Sequence, residues 1–108
     1  MNAASIDLEL RADRVTFFSN ADEKSFFDWL DGLSFVRRYE GHGRTLHIFV
    51  SPEEVDEAAL RELIALFYRY NIDLRQLAVF NRADFDHWFR NKRAYWYERV
   101  FGQIENVS

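Results

Sequence analysis

Apolar and polar residues alternate at the start of the chain, with Ile6, Leu8 and Leu10 set against Asp7, Glu9 and Arg11. A period of two is the signature of a half-buried strand. Val15 and Phe17 resume the alternation after Ala12-Asp13-Arg14, which predicts a short hairpin or a bent strand ending at Phe18. The period then lengthens. Phe26, Phe27, Leu30 and Leu33 recur at helical spacing, with Lys24, Ser25, Asp28 and Asp31 on the other side. Ser19 or Asn20 is a suitable cap for this helix, and Asp22 and Glu23 complement its positive end. Gly32, in a left-handed conformation, is its expected stop.

Two β-rich runs flank Gly41-His42-Gly43 and predict a hairpin with a glycine-permitted turn. On the returning strand Leu46, Ile48 and Val50 share one face, and His47 and Phe49 the other. Ser51-Pro52-Glu53-Glu54 then reads as a helix start, with Ser51 as cap, Pro52 in the first helical position and Glu54 completing a capping box. The helix continues to Tyr70. Its first half is amphipathic, with Val55, Ala59, Leu60 and Leu63 against Asp56, Glu57, Arg61 and Glu62. Its second half, "LIALFYRY", is apolar nearly all round and requires cover on more than one side.

The last third is expected to supply that cover. Asn71 closes the long helix, and Asp73 caps a new one carrying Leu74, Leu77, Ala78 and Phe80. Asn81 and Asp84 repeat the start signal for "DFDHWFRN", and a final helix holds "KRAYWYERVFG". Trp88, Phe89 and Trp96 fall along one stripe and are expected to form a lid of rings, since large apolar side chains at helical spacing are usually core.

The order is β-β-α-β-β-α followed by short helices. The expected fold is α+β: a small antiparallel sheet of three to four strands with helices on one face and an additional C-terminal layer of short helices. The strand ending at Phe18 should lie beside Thr45–Val50. One domain is expected over residues 1–108, with residues 1–4 and 103–108 frayed.

Composition narrows the function classes. The chain has 108 residues, of which 48% are hydrophobic and 18% aromatic, so ring packing must dominate the core. The absence of cysteine excludes disulfides and thiolate metal sites and fits a reducing, cytoplasmic setting. No apolar run reaches the ~18 residues of a membrane span, and the first residues lack the pattern of a signal peptide.

The net charge of −4 is uneven: residues 1–62 hold thirteen acids and seven bases, residues 63–108 five acids and seven bases. An acidic chain is a poor general nucleic-acid binder, because phosphate affinity comes from neutralising charge, and it suits a basic partner.

No motif for catalysis or for a cofactor is present, so an enzyme is not expected, and neither a cofactor nor a metal. His42, His47 and His87 lack a second ligand at metal spacing. Two surfaces remain. Asp56, Glu57 and Glu62 extend an acidic face beyond what capping requires, and complementary charge speeds encounter with a basic protein. Arg90, Arg93, Tyr95 and Tyr97 are expected to form a cationic patch edged by tyrosine hydroxyls, and Tyr and Arg are enriched where proteins meet partners.

The expected role is a non-catalytic protein-interaction module. It fits a bacterial immunity-type protein that neutralises a basic toxin or nuclease, with homodimerisation through the hairpin edge or the aromatic tail also compatible. The rival reading is a nucleic-acid-associated regulator using the cationic aromatic C-terminal segment. A third is an enzyme or weak metal site near the Glu40–His47 hairpin, which requires His42 and His47 to meet beside a cavity.

Overall fold

The opening alternation forms strand β1 (Leu8–Asp13), which runs antiparallel to β3 (Thr45–Val50) with Leu8 opposite Val50 and Asp13 opposite Thr45. The structure, a computed structural model, describes residues 6–102; the expected frayed ends, 1–4 and 103–108, lie outside them. The hairpin partner β2 (Val36–His42) pairs with the other edge of β3, so the sheet has three strands in the order β1-β3-β2. The neighbour foreseen for the first strand is therefore the right one, but no strand extends to Phe18. Arg14 adopts φ 54 and donates its backbone N–H to the Arg44 carbonyl at 2.7 Å, which turns the chain out of the sheet. Phe17 accordingly turns to other rings, lying 5.4 Å from Phe26 and 6.1 Å from Tyr70.

The β2–β3 turn is one residue later than the glycine pattern implies. His42 still pairs with Thr45, and Gly43-Arg44 is the two-residue turn, with Gly43 at φ 62. Positive φ at the first turn position suits the right-handed twist of a hairpin, and glycine reaches it without a Cβ penalty. A bulge between Val36 and Arg38 throws out Arg37, whose guanidinium lies 3.8 Å from Asp7 and 3.5 Å from Glu54.

Helix α1 (Asn20–Asp31) is capped by the Ser19 hydroxyl, which accepts from the Asp22 N–H. Gly32 ends it in an ordinary right-handed conformation, φ −81, rather than a left-handed one. Helix α2 (Glu57–Arg69) starts five residues later than the Ser-Pro-Glu-Glu motif implies. Residues Pro52–Glu54 make a single 3-10 turn, the Ser51 hydroxyl makes no cap bond, and Asp56 is the N-cap, accepting from the Ala59 N–H at 2.9 Å. Asn71, at φ 58, closes α2 as expected.

Register places Leu10, Ala12, Leu46, Ile48, Val50 and Tyr39 on one face of the sheet, where α1 packs: the Phe27 ring lies 5.5 Å from Tyr39. Helix α2 joins α1 through Tyr70 against Phe26, at 4.9 Å. Leu60, Leu63, Ile64, Leu66 and Phe67 are buried, while Tyr68 and Arg69 are exposed, so the second half of α2 is covered on most sides rather than all. No helix among the described residues is long and apolar enough to cross a membrane.

The chain divides into two compact units, the first ending at Ile72 and the second beginning at Asp73. The second is made of short turns. A 3-10 helix (Leu74–Phe80) opens under Asp73, whose carboxylate accepts from the Arg75 N–H. A 3-10 turn (Ala83–Phe85) leads into the one-turn helix α3 (Asp86–Phe89). The final helix expected from Lys92 onward is instead a run of turns and one π-helical turn (Glu98–Gly102). Ring packing replaces long hydrogen-bonded ladders here. Trp88 lies 5.7 Å from both Phe89 and Trp96, Phe101 lies 5.1 Å from Phe89, and the Trp96 indole donates to the Phe89 carbonyl at 2.8 Å. Trp88, Phe89 and Trp96 are all buried.

Candidate functional site

The acidic residues singled out on the long helix lie at its exposed N-terminal end, and each has a local task. Asp56 caps α2. Glu57 pairs with Arg61 one turn on, at 3.0 Å. Glu62 accepts a hydrogen bond from the Trp29 indole of α1 at 2.9 Å. This last contact joins two acidic elements. Helix α1 carries Asp22, Glu23, Asp28 and Asp31 against the single base Lys24, and residues 52–62 carry Glu53, Glu54, Asp56, Glu57 and Glu62 against Arg61. Lys24 is held by Asp28 at 2.6 Å, which raises the ammonium pKa. Asp31 accepts from the Tyr39 hydroxyl at 2.6 Å, and that bond pushes the phenol pKa up. Asp22 accepts from the Phe18 N–H at 3.0 Å and Glu54 lies 3.5 Å from Arg37, while Trp29 is half-buried.

The cationic candidates separate. Tyr97 is only 3% exposed, its ring 5.3 Å from Phe101, so it belongs to the ring cluster and not to a rim of hydroxyls. Tyr95 remains 53% exposed while its ring edge meets Trp96 at 5.0 Å. The Arg90 guanidinium stacks over Phe101 at 4.6 Å, a cation–π contact that takes this charge into the packing of its own unit. Arg93 is exposed, and its backbone N–H is anchored on the Asn91 side chain.

The third group lies on the face of the sheet away from α1. Three cross-strand rows run over it: Glu9–Phe49–Arg38, Arg11–His47–Glu40 and Asp13–Thr45–His42. Polar bonds link the rows. His47 pairs through Nδ1 with Glu9, His42 through Nε2 with Glu40 at 2.8 Å, and Thr45 donates to Asp13 at 2.6 Å. Arg38 pairs with Glu40 and stacks on Phe49 at 3.9 Å. The bond to His47 is the chief cause that holds the Glu9 carboxyl below its usual range, and the bond to His42 does the same for Glu40.

His42 and His47 do meet, with ring centroids 5.3 Å apart. The cavity at this end of the sheet, however, is walled by Ala12, Leu46 and Phe26, which belong to the opposite face. Among the described residues no three His, Asp or Glu side chains converge on a point that could hold a metal ion. A general base needs a substrate pose within hydrogen-bond reach, and these histidines stand on an open, self-paired surface.

Sequence reasoning missed Trp29. It sits three positions past Phe26 and one before Leu30, at the edge of the buried stripe, and a large aromatic at a stripe's edge among acids is the signal that was available. The rows on the sheet were half visible in the period of two; the pairing order that assembles them was not. The chain matches no family model, and comparison with curated proteins and with solved structures finds no significant similarity.

Proposed function

We propose that the chain is a non-catalytic protein-interaction module whose acidic α1–α2 seam receives a basic protein surface. The observation that carries this reading is the Trp29–Glu62 hydrogen bond. It joins two acidic elements and sets a tryptophan, a residue type enriched at binding hot spots, against the Glu62 carboxylate. Opposite charge on a partner steers encounter, and the indole supplies apolar area at the centre. Neutralising a basic toxin or nuclease is the specific role such a surface suits. The second unit favours the nucleic-acid alternative less, since Tyr97 is buried and Arg90 is stacked on Phe101, while Tyr95 and Arg93 are exposed.

A labelled deca-lysine peptide, titrated by fluorescence anisotropy at low and near-physiological salt, tests the seam. Saturable, salt-weakened binding is expected. It should be lost on Glu57→Gln with Glu62→Gln and kept on Asp86→Asn with Glu98→Gln, which removes the same charge from the second unit. Equal loss in both double variants would mean nonspecific attraction to net charge and would reject the seam. Binding of single-stranded RNA that disappears on Arg90→Ala with Arg93→Ala would favour the alternative instead.

A further inference from the structure

The end of the sheet near the β2–β3 turn is hollow on its inner face. Ala12, Leu46 and Gly41 form one cross-strand row there, on the same side as Ile48 and Val50. Two of those three positions have almost no side chain. A Cβ built on Gly41 would meet nothing within 4 Å, so the gap is not filled by a neighbour. The row ends in a cavity of about 170 Å³, open to solvent and walled by Val15, Phe17, Phe26 and Phe27. An apolar cavity of about 150 Å³ is enough to take up one benzene ring, so this one matches a single six-membered ring with a short substituent.

The mouth is cationic. Arg44, the second residue of the turn, borders the cavity and is exposed. Arg14 stands beside it, tied by its backbone N–H to the Arg44 carbonyl at 2.7 Å and held in the left-handed region. No salt bridge among the described residues uses either arginine, although Arg11, Arg37, Arg38, Arg61, Arg75 and Arg82 all have acid partners. In an otherwise acidic unit, two arginines without a salt bridge, joined through their backbones, stand at the turn, and Arg44 lines the aromatic-walled hollow. Guanidinium is the group best matched to a planar carboxylate.

We propose that the hairpin end of the sheet binds a small aromatic carboxylate. Its ring occupies the hollow left by Gly41 and Ala12, with edge contacts to Phe17, Phe26 and Phe27. Its carboxylate meets Arg44 and Arg14 at the rim. The site is independent of the α1–α2 seam, so either can fail without the other.

Phenylacetate and its uncharged counterpart benzyl alcohol are the probes, titrated into the full chain by heteronuclear NMR. Phenylacetate should bind saturably, with shifts centred on Ala12, Gly41 and Leu46, and more tightly than benzyl alcohol. Gly41→Val places a branched side chain in the hollow at a strand position whose φ is not positive, so the variant should fold and should weaken both probes by about tenfold or more. Arg44→Gln with Arg14→Gln should weaken phenylacetate alone. Absence of saturable binding, equal affinity for the two probes, or binding unchanged by Gly41→Val would each overturn the proposal. Should Gly41→Val unfold, the arginine pair and the two probes still decide it.

Discussion

The Trp29 indole of α1 donates to Glu62 of α2 across thirty-three positions of sequence, at 2.9 Å. A hydrogen bond to a charged acceptor on a partly exposed surface contributes modestly, about 0.5–1.5 kcal/mol. Glu62→Ala should lower unfolding free energy by about that amount in urea titrations. Glu62→Gln keeps an acceptor oxygen and should cost less. The two variants should nevertheless weaken binding of a basic peptide alike, because both remove the charge. A stability loss in Glu62→Gln as large as in Glu62→Ala would show that the charge, and not the acceptor, holds the helices.

Asp56 rather than Ser51 caps α2, and the two sites therefore respond differently. Asp56→Ala removes the acceptor for the Ala59 N–H and should cost about 1 kcal/mol. Asp56→Asn preserves it and should be nearly neutral. Ser51 is fully buried, and its hydroxyl donates to Glu53 at 3.3 Å. Ser51→Ala should cost less than Asp56→Ala, as compared by thermal unfolding of the three variants. The reverse order would restore the helix start to the Ser-Pro-Glu-Glu motif.

That motif shows where the sequence was readable and where it was not. Strand periodicity survived: Leu46, Ile48 and Val50 do face inward, and β1 does lie beside Thr45–Val50. So did the aromatic stripe, since Trp88, Phe89 and Trp96 are buried. Local signals failed where two were close together. Ser51 and Asp56 are both good caps five residues apart, and Val55 between them is buried in an extended conformation, which favours the later start. The alternation at Val15 and Phe17 was real, but Arg14 had already left the sheet, and a positive φ at arginine has no compositional warning. The hollow at Gly41 depends on which residues stand opposite in the register, and a one-residue shift of the turn would have put Gly41 elsewhere.

The second unit should be sensitive to Trp96. Its indole N–H satisfies the Phe89 carbonyl at 2.8 Å in a buried setting, and its ring meets Trp88 and Tyr95 edge-on. Trp96→Phe leaves that carbonyl without its indole donor and opens a gap, two losses that together reach about 2–4 kcal/mol. Tyr95→Ala, at an exposed ring, should cost less than half as much. Hydrogen exchange of amides from Asp73 to Gly102 reads the effect locally. Protection that survives Trp96→Phe would mean that the indole bond is dispensable.

The open face of the sheet makes stability depend on acid pH. The bonds from His47 and His42 favour the ionised forms of Glu9 and Glu40, and both carboxyls are held below the ordinary glutamate value of 4.5. A group whose pKa is lower in the folded chain binds fewer protons there than in the unfolded one, so its contribution is complete above that ordinary value and disappears as pH falls through the folded value. Stability measured by urea unfolding should therefore decline as pH falls below the ordinary glutamate value of 4.5 and through the lowered values of these two carboxyls. Asp73, depressed chiefly by its bond to Arg75, adds to the same decline from the second unit. Glu9→Gln with Glu40→Gln cannot ionise, so that variant should begin less stable at neutral pH and lose less on acidification. A slope as steep as the parent's would place the acid sensitivity elsewhere and leave the rows over β1, β3 and β2 without a part in it.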